Sequence, residues 1–170
     1  MRRRRPMLAP LVACVVILGL VGCSDAQEVP ATPDGWQRVE VGALSFAVPT
    51  EWAQEDTSDE YWSVQWATDT ALLIGAPAFG ENGAKHGLVT FQSGAQIGGW
   101  GYRSTRSSTP VDTATLTVER NDFEYDDVDG VFWAASDPRS DVTVALQLTG
   151  RDLPATLVTG IEESLAVVDG

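Results

Sequence analysis

The sequence predicts an α+β domain in which an antiparallel sheet of about six or more strands packs with a C-terminal helix. Short segments between Trp36 and Leu148 alternate apolar and polar residues with period two, as half-buried strands do, whereas Leu153, Leu157, Ile161 and Leu165 recur every four residues, as on a helix. The 148 residues from position 23 onward suit one domain with a single core.

The first 23 residues read differently from the rest. Arg2 to Arg5 precede an apolar run from Met7 to Val21. About 15 residues at 1.5 Å rise give roughly 22 Å of helix, short of the roughly 30 Å hydrocarbon core a permanent span must cross. The pattern is that of an export signal, residues 1–22. Leu20-Val21-Gly22-Cys23 resembles the lipobox of bacterial lipoproteins, common as exported proteins of high-GC Gram-positive bacteria. The resemblance implies cleavage before Cys23, a diacylglyceryl group on its sulfur, and acylation (palmitate or similar) of the new amino terminus. Two or more chains suffice for stable anchoring where one is marginal. The expected location is therefore the extracytoplasmic face of the cell membrane, with the bilayer held through Cys23. The other cysteine, Cys14, lies inside the apolar run.

Charge excludes one partner class. Removing the leader removes four arginines and leaves seven Lys and Arg against 24 Asp and Glu, a formal charge of −17. Such a surface repels nucleic acid and anionic headgroups alike. With Cys23 acylated, no thiol remains for a disulfide, and packing alone must hold the domain.

Residues 23–35 read as a lipidated tether. Ser24 to Gly35 (SDAQEVPATPDG) is polar, carries prolines and has no apolar periodicity. It reaches at most about 40 Å when extended. The domain then runs over residues 36–170.

Val39 and Val41, then Leu44, Phe46 and Val48 up to Pro49, predict a hairpin turning at Gly42 with one buried face. Trp62, Val64 and Trp66 predict a third strand and Ala71 to Ile74 a fourth, joined by a turn at Thr68-Asp69. Ala114, Leu116 and Val118, the run Val131 to Ala135, and Val142 to Leu148 predict three more, the last two linked by a turn at Asp137 to Ser140. The C-terminal helix is expected to start at Asp152-Leu153-Pro154, with Glu162 and Glu163 off its leucine stripe. Between Gly80 and Pro110, rich in Gly and Ser, three readings stay open: a strand around Leu88 to Gln92, a short helix, or mostly loop.

The segments "GALSFAVPTEW" and "VTVALQLTGRDLPATLVTGIEESLAVV", with Ser164, Leu165 and Val167 in a terminal "SL-V" pattern, resemble the PsbP-like fold. The match covers mainly Gly42 to Trp52 and Asp141 to Val168, about a quarter of the chain. Gly80 to Pro110 departs from the pattern where that family has central helices. The resemblance implies an α/β/α sandwich, and an accessory or assembly role with no shared catalytic motif.

The residues themselves suggest no enzyme. One histidine, His86, allows no multi-histidine metal site, and no G-x-S-x-G elbow occurs. Gly99-Trp100-Gly101-Tyr102 lacks the third glycine of a dinucleotide loop, which is Ser104 here. The acidic run from Asp122 to Asp129 is the best calcium candidate, but aligned on Gly130 it puts Tyr125 at the first ligand position and Ser136 at the bidentate one, so it is not an EF-hand and reads as a solvated turn between strands, with a weak, irregular cation site as the alternative. No cofactor or resident metal is expected. Trp100 and Tyr102, amphipathic rings among glycines, are the candidate contacts for a ligand or partner. The expected function is a non-enzymatic interaction or assembly module of the cell envelope, meeting an unidentified envelope protein. The alternative is a carrier or sensor binding a small molecule, lipid or glycan, which a large cavity lined by unpaired aromatics would favour.

Overall fold

The computed structural model describes residues 29–98 and 101–168. The export signal, Cys23 and Trp100 lie outside the described residues. The domain is α+β, built on two antiparallel sheets. The small sheet has the order β1-β2-β11, with β1 Trp36–Val41, β2 Leu44–Pro49 and β11 Ala166–Val167. The large sheet has the order β3-β4-β5-β10-β9-β8-β6, with β7 also pairing β8. Its strands are β3 Gln54–Asp56, β4 Val64–Ala67, β5 Ala71–Glu81, β6 Arg103–Ser104, β7 Thr109–Val111, β8 Thr117–Tyr125, β9 Val128–Ser136 and β10 Val142–Gly150. Two helices complete it, α1 Ala84–Ile97 and α2 Ala155–Glu163.

Strand alternation sends the large sheet's side chains into two separate cores. Trp66, Leu73, Val118, Trp133, Val144 and Leu146 share one with Phe46 and Val48 of the small sheet and Leu157 and Ile161 of α2. Phe132, Ala134, Ala145 and Phe123 share the other with Ala84 and Leu88 of α1. The register makes this explicit: Leu146 lies opposite Trp133, and Trp66 opposite Leu73.

Helix α1 occupies the stretch that the sequence left open. Ala84 and Leu88 are one turn apart and Phe91 follows at i+3, so a single face meets the sheet. Gly87 weakens the helical pattern for a packing reason, since a Cβ there would lie 2.8 Å from Thr143 Cγ2. Phe91 stacks on Phe132 with centroids 4.0 Å apart and planes 7° from parallel.

Four expectations are corrected. Trp62 precedes β4 and joins the α1-side cluster with Phe79, away from Val64 and Trp66, because Asp59 Oδ1 accepts the N–H groups of Tyr61 and Trp62 and turns the chain. The residues around Ala114 form a turn closed by Thr113 Oγ1 and Leu116, and the strand starts only at Thr117. The acidic run is mostly strand: Asp122 and Glu124 lie in β8 and Asp129 in β9, leaving Asp126-Asp127 as a two-residue hairpin turn with Asp126 at φ 50°. Helix α2 is shorter than its leucine pattern suggests. It starts after Pro154 rather than at Asp152 and ends at Ser164, whose hydroxyl donates to Ile161 O and accepts the Ala47 N–H, both at 2.8 Å. The free edge of β2 then captures Ala166–Val167 as a strand.

Candidate functional site

Helix α2 positions the polar centre of the molecule. Leu157, Val158 and Ile161 are buried, and Glu162 follows Val158 by one turn, so its carboxylate is carried towards the sheet. Glu162 Oε2 accepts the Trp133 indole N–H at 2.8 Å and Arg120 Nη1 at 3.0 Å. Arg120 stands directly opposite Trp133 in the β8–β9 register. Asp122, two residues on and on the same strand face, accepts from Arg120 Nε at 2.6 Å and Nη2 at 3.1 Å. All three charged side chains are largely withdrawn from water. Burial alone would lower the Arg120 pKa, but the Asp122 and Glu162 carboxylates outweigh it and raise it, so the guanidinium is firmly charged.

Three clefts of about 150, 290 and 250 Å³ run together along α2. Asp112, Glu162 and Glu163 are shared between two of them, and Arg120 joins the third. The resulting groove lies between α2 and the β7–β8 edge. It brings Asp112, Asp122, Asp129, Glu162 and Glu163 together with Arg106 and Arg120, so carboxylates outnumber guanidiniums. Arg106 Nη1 stands 3.7 Å from Asp122 Oδ2. Two other concavities, of about 560 and 400 Å³, flank the Thr68–Thr70 turn but bring in few charges, among them Asp69, Arg151 and Glu51.

The groove's charges are mostly committed to one another. Both edges of the Arg120 guanidinium are taken, so it has little left to offer an anionic substrate. Among the described residues no three His, Cys, Asp or Glu converge as metal ligands, the Asp122–Asp129 run included. His86 is exposed on the first turn of α1. No described helix is long and apolar enough to cross a membrane.

Tyr102 is half-buried in the α1-side cluster. Its ring packs edge-on against Phe91, 5.9 Å between centroids, and against Phe123 at 5.5 Å. Its hydroxyl donates to Asn121 Oδ1 at 2.6 Å, and burial raises its pKa. Asn121, fully buried, donates in turn to Ser104 Oγ and Arg106 O. The structure therefore ties Tyr102 through Asn121 to Ser104 and to the backbone of Arg106, which lines the groove.

Arg120, Asp122, Trp133 and Glu162 escaped sequence reasoning as a set, although two signals were present. Arg120 and Asp122 continue the inward positions of Leu116 and Val118, where a charge needs a partner. Glu162 sits one turn after Val158, on the flank of the apolar stripe.

Neither protein-family models nor curated proteins match this chain.

Proposed function

We propose that this chain is a membrane-anchored extracytoplasmic lipoprotein whose domain is a non-enzymatic interaction module, with the groove along α2 as its docking surface. The lipobox Leu20-Val21-Gly22-Cys23 behind the arginine-led apolar run supports the anchor. The observation that carries the interaction reading is the groove itself, an open surface whose charges are fixed in place by mutual ion pairs and whose lining is acidic overall. Such a surface suits a cationic partner segment. The carrier alternative has less support, because the aromatic rings that would line a ligand cavity pack on one another instead: Phe91 stacks on Phe132, and Tyr102 packs against Phe91 and Phe123.

The test is chemical crosslinking of the native lipoprotein in intact cells, followed by detergent extraction and mass spectrometry. Wild type should carry a defined partner with a basic contact segment. Asp112→Lys with Glu163→Lys, both at exposed positions, should lose it while folding normally. A partner retained by the charge-reversed protein, or a small molecule bound in stoichiometric amount, overturns the reading.

A further inference from the structure

We infer that Arg38 is a clamp that fastens the tether to the domain and so fixes which face looks towards the membrane. Its last step rests on the lipid-anchor reading above. On β1, Arg38 Nη2 donates to Pro30 O at 2.7 Å, while Nη1 donates to Ser45 Oγ and to Ser164 O, each at 3.0 Å. One guanidinium thus ties the tether to β2 and to the C-terminal end of α2. Ser164 O belongs to the helix cap, where unpaired carbonyls and the negative end of the macrodipole favour a cation.

Arg38 is suited to this because nothing else claims it. Among the described residues the ion pairs of Arg103, Arg106, Arg120 and Arg139 leave Arg38 without a carboxylate, in a chain where carboxylates abound. Arg38 donates instead to three neutral oxygens. The fork geometry matters, since two separated amino groups reach Pro30 on one side and Ser45 and Ser164 on the other, whereas a lysine would have to serve all three from one compact ammonium.

Fastening Pro30 has a geometric consequence. Val29 and Pro30 form one wall of the 150 Å³ cleft, opposite the 112–115 loop and β11. Pro30 is seven residues beyond Cys23, a reach of at most about 25 Å. Without the clamp the next fixed point is the turn in which Trp36 N–H donates to Pro33 O, and the reach grows to about 35 Å from a different pivot. The clamp therefore keeps the 112–115 loop, and the end of the groove beside it, next to the anchor. The surface such a groove meets belongs to a partner lying at the membrane.

The experiment uses the chain from Cys23 to Gly170, which keeps every described contact and in which Cys23 is the sole thiol. A nitroxide on Cys23 broadens nearby amide resonances, with no lipidation needed. In wild type the broadening should concentrate on residues 112–115 and 164–168. Arg38→Ala should weaken it there several-fold and spread it over the domain, and Arg38→Lys should fall between. Diffuse broadening in wild type overturns the clamp, as does an unchanged pattern in either variant; if Arg38→Ala unfolds, its amide spectrum reveals this and Arg38→Lys decides. For the orientation, the same thiol is coupled to a maleimide phospholipid in phosphatidylcholine vesicles, whose net-neutral headgroups do not repel the acidic domain. Amide exchange in the 112–115 loop should slow in wild type and not in Arg38→Ala; equal exchange in both refutes the membrane-facing assignment. Failure of lipidation in cells would leave all of these results standing, so the two readings fail separately.

Discussion

The Trp133 indole N–H and the Glu162 carboxylate meet at 2.8 Å, joining the centre of the large sheet to the last turn of α2. The same oxygen receives Arg120, so removing Glu162 leaves the buried Trp133 indole N–H and one amino group of the half-buried Arg120 short of a partner. Each such group costs about 1–3 kcal/mol when left unsatisfied. Glu162→Ala should therefore lower stability by about 2 kcal/mol or more in urea titration, whereas Glu163→Ala, its exposed neighbour, should stay within about 0.5 kcal/mol. A double-mutant cycle of Trp133→Phe with Glu162→Ala should show coupling; strict additivity would mean that the contact carries no energy.

Trp66 offers the contrast. Its ring is fully buried edge-on against Phe46, 5.5 Å between centroids, but among the described residues its indole N–H has no partner. Trp66→Phe gives up volume without breaking a hydrogen bond and removes an unsatisfied donor. It should cost less than Trp133→Phe in the same titration, and a larger cost would show that the Trp66 N–H is satisfied in solution.

Ile161 is fully buried in the core that α2 shares with the large sheet. Ile161→Ala should cost about 2–5 kcal/mol, from lost transfer free energy and the cavity left behind. A cost as small as that of Glu163→Ala would mean that α2 does not pack as described.

Gly130 lies opposite Phe123 in the β8–β9 register, and a Cβ there would sit 2.2 Å from the Phe123 ring. Gly130→Ala must displace that ring from its contacts with Phe91, Tyr102 and Tyr125. Overpacking of this kind costs about 1–3 kcal/mol. The near-ultraviolet circular dichroism should change with it, and an unaltered spectrum at wild-type stability would contradict the aromatic packing.

Tyr102 gives a pH dependence with a definite sign. Burial raises its folded pKa above the unfolded value near 10, so its contribution is fully present below pH 10 and is lost as pH rises through the folded pKa. Tyr102→Phe should remove that alkaline loss. It should also cost about 1–2 kcal/mol at neutral pH, because Asn121 Oδ1 loses its donor. Parallel stability curves for the two proteins above pH 10 would refute the assignment.

Strand periodicity made most of the sheet legible. Leu44 to Val48 and Val142 to Leu148 form strands where their alternation puts them, although β2 is buried on both faces rather than one and Val142 is exposed, and Leu157 and Ile161 are buried as their spacing implies. The losses have local causes. In α1, Gly87 and Gly94 dilute the helical pattern, and the former is there because Thr143 comes close. At the C-terminus a helical repeat continues through Leu165, but pairing with Ser45 and Leu44 converts the next two residues to strand. The groove was harder still. Arg120, Trp133 and Glu162 are far apart in sequence, and only the packing of α2 beside β8 and β9 makes them neighbours. Trp100 and Cys23 lie outside the described residues, and Tyr102 alone of the expected contacts is placed by the structure.

The proposed anchor at Cys23 is the centre of the account, because the membrane location rests on it. Cells expressing wild type or Cys23→Ala are grown with a radiolabelled or alkyne-bearing fatty acid, fractionated, and the protein's mass is measured. Wild type should stay in the membrane fraction, carry the label, and have the mass of a chain cut before Cys23 and acylated; Cys23→Ala should lose the label and leave the wild-type membrane pool. An unlabelled wild type, or a Cys23→Ala protein held in the membrane at wild-type levels, would contradict it.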